Sequence, residues 1–281
     1  MRRTHATLAS SLNLIFAHRA AARVYGLAAI ALGLVGLVWG DFAAMWQPVP
    51  QSVPGRTALA YIVAVALLLA GSAIQWQRTA APGALMLTAL YGLGVALLHV
   101  PRLLAHPSVF VVWLGVAEQL ALVAGGLVTY VLSAQIDAAL AERMTRIARL
   151  VFGVCLMVFG LAHIVYVKET AGMVPAWLAP GQAFWANATA AGHFAAGIAI
   201  LFGIAARPGA ILLTAMFVMF GILVHAPALF FDPHAHINWA ANAINLALIG
   251  SAWVIAASFP AAQPQSEILA VNHTNTYRPN K

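Results

Sequence analysis

His225-Ala-Pro227-Ala-Leu-Phe-Phe-Asp232-Pro233 decides the architecture of this chain, because a version of it occurs twice. The segment 126 positions earlier reads His99-Val-Pro101-Arg-Leu-Leu-Ala-His106-Pro107. His99 falls on His225, Pro101 on Pro227 and Pro107 on Pro233. At the same offset Pro54-Gly55 falls on Pro180-Gly181, Gly71 on Gly197, Pro82-Gly83 on Pro208-Gly209, Thr88 on Thr214 and Trp113 on Trp239. Apolar chains coincide by chance at Leu and Ala, but rarely at Pro, Gly, His and Trp together. The pattern reads as a tandem internal repeat.

The matched segments lie in a chain that is 63% hydrophobic and 7% charged. Soluble domains carry about 25% charged residues, so a bilayer is the expected solvent and lipid the first expected partner. The net charge is +7. No basic face with interleaved aromatics appears, which argues against nucleic acid; in a membrane chain the excess Lys and Arg orients the spans. The single cysteine, Cys155, sits in an apolar run. An internal disulfide and a CxxC relay are excluded, so any redox role needs a bound cofactor, a quinone or a partner's thiols. Met1-Arg-Arg precedes a polar Thr-His-Ala-Thr stretch, so the first span is expected to act as its own insertion signal.

A membrane-crossing helix needs about 20 mostly apolar residues. By that rule the spans are expected near 23–40, 57–76, 83–104, 109–133, 148–167, 183–206, 208–230 and 237–259. The predicted fold is all-α, with eight transmembrane helices arranged as two parallel-repeat four-helix bundles. A basic cytoplasmic segment occupies 1–22, the repeats 23–133 and 148–259, a cytoplasmic linker 134–147 and a disordered cytoplasmic tail 260–281. Glu142 and Arg146, at i,i+4, suit a short exposed helix in the linker. With the N-terminus inside, eleven Lys and Arg fall on one side and three (Arg56, Arg102, Lys168) on the other. This positive-inside bias places both termini in the cytoplasm and the chain in the inner membrane. An even number of spans per repeat gives both halves the same orientation, a parallel repeat. Val174-Pro175-Ala-Trp177-Leu-Ala-Pro180-Gly181 is expected as an interfacial loop with a Trp anchor, able to dip into the bundle where protein covers it. Trp39, Trp46, Trp113, Trp177, Trp185 and Trp239 cluster near outer span ends, as interfacial aromatics do.

The histidines concentrate in the second repeat. His225 and His99 are expected near the outer ends of spans 7 and 3, each loosened by the proline two residues on. They read either as terminal residues satisfying helix carbonyls or as walls of an outward-facing polar site. His163 falls near the outer end of span 5, and His193 about ten residues into span 6, roughly 15 Å along it. Asn238, Asn242 and Asn245 are spaced i, i+4, i+7 and form one face of span 8. A polar stripe in a span faces protein or a water-filled cavity, so the amides either join helices or line a binding site. Glu118 lies near mid-depth in span 4. An intramembrane acid is a functional candidate by default; the plain alternative is a hydrogen bond to a neighbouring helix. No histidine pair sits at i,i+4 and there is no HExxH or CxxCH, so no metal site is expected; haem between His163, His193 and His225 is a minor reading.

Several of these residues fall in short motifs of the second repeat. Phe159-Gly-Leu-Ala-His163, Val174-Pro175-Ala-Trp177-Leu-Ala-Pro180, Ala191-Gly192-His193-Phe-Ala-Ala-Gly197 and Arg207-Pro208-Gly209-Ala210 together resemble the DoxX family of small four-helix membrane proteins. Extended by the offset, the resemblance covers most of 23–259. It implies a four-helix DoxX unit duplicated in one chain and a place in a membrane redox complex, with a redox enzyme as partner. Where the family's second helix resembles Gly-x-x-Glu, this chain has His193. On this reading a quinone or other small ligand binds in an outward-facing pocket lined by His163, His193, His225 and the Asn238/Asn242/Asn245 face, and His99 marks the matching position in the first repeat. The rival readings are a permeation path through Glu118 and a non-catalytic scaffold. The sequence sets neither a catalytic residue nor the oligomeric state.

Overall fold

The computed structural model describes residues 2–260, with side chains from His18 onward. The tail expected beyond Pro260 and the side chains of the first 17 residues lie outside that range. Every described element is helical. Eight helices are long and apolar enough to cross a membrane: His18–Trp39, Arg56–Ile74, Ala80–Ala105, Phe110–Ser133, Ala138–Val165, Gln182–Phe202, Ala206–Phe231 and His236–Ser258, numbered spans 1 to 8. The protein is an integral membrane protein.

Local chemistry sets several ends. Gly40 and Gly203 stop spans 1 and 6 with positive φ, 60° and 72°, which a residue without Cβ adopts at no steric cost. Span 5 starts at an Asp137 N-cap, whose carboxylate accepts from the backbone N–H of Ala139 at 3.0 Å and of Leu140 at 3.1 Å. The cap lies upstream of the Glu142–Arg146 pair, so the exposed helix expected in the linker is the opening of span 5 itself.

Spans 3 and 7 continue past their histidines. Each contains one π turn, Val95–His99 and Gly221–His225, followed by a further helix to Ala105 and to Phe231. Pro101 and Pro227 supply a reason. Neither can donate to the carbonyl four residues back, at Leu97 and Leu223, and the ring crowds that carbonyl. An extra residue in the turn relieves the clash without ending the helix. His99 and His225 therefore sit inside their helices, which end at Ala105 and Phe231, close to the ends expected from sequence.

The spans form a ring in chain order. Each packs on the next, span 8 returns to span 1, and spans 4 and 8 also meet inside the ring. The quartets interlock: span 1 barely touches span 4 and packs on span 8 instead, while span 5 packs on span 4. Small residues make the inner contact. Gly125 lies against Ser251, and a Cβ at Gly250 would come within 2.6 Å of the Tyr25 backbone nitrogen. Tyr25 satisfies its buried hydroxyl by donating to the Leu122 carbonyl at 2.7 Å. Span 8 is accordingly the most enclosed, with 72% of its apolar window buried against 22% for span 7.

Residues 40–55 and 166–181 connect spans at the same end, termed the loop end. The first of these loops is the one that folds into the protein: Phe42, Ala43 and Trp46 are buried. Arg56 fastens it with an ion pair to Asp41, a bond to the Val49 carbonyl at 3.3 Å and a guanidinium 5.4 Å over the Phe42 ring. The loop at 174–181, expected to be interfacial with a Trp anchor, does not dip and leaves Trp177 73% exposed. Trp46 is the exception among the tryptophans expected at the interface, because the loop carries it inward. Trp113, Trp185 and Trp239 each donate Nε1 to the carbonyl six residues back, at 2.9, 2.9 and 2.8 Å, and tie a loop to the start of spans 4, 6 and 8.

Candidate functional site

His163 on span 5 and His193 on span 6 come together, with ring centroids 4.8 Å apart. Phe220 of span 7 lies 5.9 Å from the first ring and 6.2 Å from the second. Phe159 and Phe217 complete the surround of His193 at 5.8 and 5.7 Å. Gly160 permits the approach of spans 5 and 6, since a Cβ there would meet the Phe194 ring at 2.9 Å.

Thr189, which nothing in the sequence singles out as a site residue, organises the pair. It lies one helical turn before His193, so its carbonyl accepts from His193 Nδ1 at 2.8 Å. Its hydroxyl donates to the Trp185 carbonyl at 2.8 Å and therefore accepts from His163 Nδ1 at 2.9 Å. The carbonyl partner places the His193 proton on Nδ1 and leaves its Nε2 a lone pair, and His163 takes the same tautomer when the Thr189 hydroxyl keeps its bond to the Trp185 carbonyl. The pair can accept a hydrogen bond or a proton from a ligand. The only trace of this in the sequence is the i,i+4 spacing of Thr189 and His193.

The other sequence candidates fall elsewhere. The asparagine face points at the backbone of span 7. Asn238 Nδ2 donates to the carbonyls of Ala228 at 3.1 Å and Asp232 at 3.0 Å; Asn242 Nδ2 donates to that of His225 at 2.6 Å; Asn245 Nδ2 donates to that of Phe217 at 3.2 Å. The lower two amides bracket the π turn. A Cβ at Gly221 would lie 2.8 Å from Asn245 Nδ2, so the glycine makes room for that amide. His225 is half-buried, and its carbonyl is the atom engaged by Asn242.

In the first half, His99 is buried and its Nε2 donates to the Trp46 carbonyl at 3.0 Å. Glu118 lies on the other side of the same residue, beside the indole. The buried Trp46 Nε1 makes no well-formed hydrogen bond to any described residue. Trp46 thus stands between the acid and the histidine, an arrangement invisible until the loop is folded in. Cys155 is buried in the core. Among the described residues no group of three or more His, Cys, Asp and Glu side chains is placed to hold a metal ion.

Residues 144–226 match the DoxX family. This segment is a DoxX domain. The domain takes in most of span 5, all of span 6 and span 7 through its π turn, and so includes His163, Thr189, His193 and His225. It ends before the asparagine face and leaves the first half unmatched. No curated protein and no solved structure matches the chain.

Proposed function

We propose that this DoxX-domain protein is the membrane component of a redox or quinone-linked complex, and that His163 and His193 form its small-ligand site. The observation that carries the reading is an imidazole pair, His193 buried and His163 half-buried, with both rings bonded to Thr189, inside the DoxX domain. Its lone pairs suit a ligand hydroxyl, as in a reduced quinone. The lone buried Cys155 leaves thiol relay to a partner. His193→Leu tests this, because the repeat offset puts Leu67 at the matching place and an apolar side chain is accommodated there. Wild-type protein purified with its native lipids should retain a quinone by mass spectrometry, and the variant should lose most of it. Equal quinone content in both would overturn the site.

The proposal includes the arrangement in the membrane. The halves are copies related by an axis along the bilayer normal, with both termini in the cytoplasm and the protein in the inner membrane. Gly125 meets Ser251, its own counterpart 126 residues on, as an axis between spans 4 and 8 requires. The matched π turns support the same reading.

A second reading, transport of a small solute, is favoured by one observation: Glu118 beside a buried indole N–H within a span. Glu118→Gln should then alter flux or its proton dependence in proteoliposomes. If single histidine substitutions changed stability alone, the protein would be a scaffold.

A further inference from the structure

At the opposite end of the ring from the loops, the first turns of span 5 and the end of span 8 enclose a groove of about 290 Å³, lined by Ala141, Glu142, Thr145, Arg146, Arg149 and Ser258. We propose that this groove binds the headgroup of an anionic phospholipid. The site is independent of the histidine pair.

Arg149 carries the argument. Its Nε donates to Ser258 Oγ at 3.0 Å and a terminal nitrogen donates to the Ser258 carbonyl. Its guanidinium carbon stands 3.8 Å over the Phe259 ring. These contacts hold the plane of the group, as a capping cation at the end of span 8. They do not neutralise it: among the described residues no carboxylate pairs with Arg149. Glu142 pairs with Arg146 instead, at 2.6 Å, with both side chains largely exposed. The groove therefore keeps a net positive charge and a guanidinium already oriented, with the Thr145 hydroxyl beside it. A planar fork of N–H donors matches a phosphate's oxygens.

The acyl chains distinguish a phospholipid from a soluble anion. Ile147, Leu150 and Val154 follow on span 5 and are 46%, 46% and 55% exposed. Leu150 and Val154 follow Arg146 at steps of four residues, so this exposed apolar flank leads from the Arg146 rim of the groove into the apolar part of the span, while the face below Arg149 turns into the buried core. A molecule with an anionic head and two hydrocarbon tails satisfies both regions at once. Basic recesses between spans at a membrane surface bind such headgroups.

The full-length protein is delipidated and exposed to equimolar phosphatidylglycerol and phosphatidylcholine of the same chain length, and retained lipid is read by native mass spectrometry. Wild type should retain phosphatidylglycerol preferentially. Arg149→Gln should lower that preference about fivefold, the worth of one basic residue at a membrane surface. Because that change also removes a helix cap, Ala141→Trp provides a second variant, which fills the groove and leaves Arg149 in place. It should lower the preference as well, while Arg143→Gln, outside the groove, should not. No preference in wild type, an undiminished preference in Ala141→Trp, or displacement of the lipid by millimolar inorganic phosphate would overturn the proposal.

Discussion

At the scale of single residues, Thr189 has two jobs that one substitution separates. Thr189→Val removes the hydroxyl that accepts from His163 but leaves the carbonyl that accepts from His193. Nitrogen NMR of labelled histidine should show a changed tautomer balance at His163 alone, and the midpoint of thermal unfolding in detergent should fall by the equivalent of about 1 kcal/mol. A shift at both histidines would contradict this division of labour between hydroxyl and carbonyl. The histidines themselves are legible in sequence, because imidazoles in an apolar span stand out and helical rise gives their depth. Their organiser is not, since a threonine returning its hydroxyl to its own helix is unremarkable until a neighbouring helix supplies the imidazole. Trp46 departs from its expected place for a related reason. A tryptophan near a span end suits the interface, and only the Arg56–Asp41 fastening shows that its loop turns inward.

The elements are legible in extent and less so in their interiors. Long apolar runs give eight spans whatever the tertiary fit, so their number and order follow from hydropathy. The π turns do not, because a proline after a histidine looks the same whether the helix ends or takes in one more residue. The asparagine stripe is visible as a face, but what it faces depends on span 7 having that turn. Its consequence is testable: Asn242→Leu removes the donor to the His225 carbonyl. Hydrogen bonds between membrane helices are worth roughly 0.6 kcal/mol on average, so global stability should fall only slightly. Amide exchange across Gly221–Phe231 should nevertheless quicken relative to the rest of span 7. Unchanged exchange there would mean that the turn is held by its own helix.

For the whole molecule, the tandem repeat read from the sequence suggests two neighbouring quartets, whereas the spans also pack between quartets, span 1 on span 8 and span 4 on spans 5 and 8. Sequence offsets cannot reveal this, because copies that close on themselves and copies that close on each other share the same periodicity. The inner contacts should be sensitive to a single methyl. Gly250→Ala brings a Cβ against the Tyr25 backbone, which cannot rotate away as a side chain would. A loss of about 1–3 kcal/mol is expected from overpacking and should appear as a lowered unfolding midpoint in detergent. Gly92→Ala, where a Cβ meets nothing within 4 Å, is the matched control and should leave the midpoint unchanged.

The return of span 8 to span 1 bears on how the protein is made. Among the described spans the first to be made has its partner on the last, so six spans must be threaded between them before that seam can close. Until then the backbone around Tyr25 and the flank of span 4 face lipid or a chaperone. A nascent chain halted before residue 236 would leave both halves ajar, and cellular proteolysis should clear it even though it already contains the whole stretch that matches DoxX.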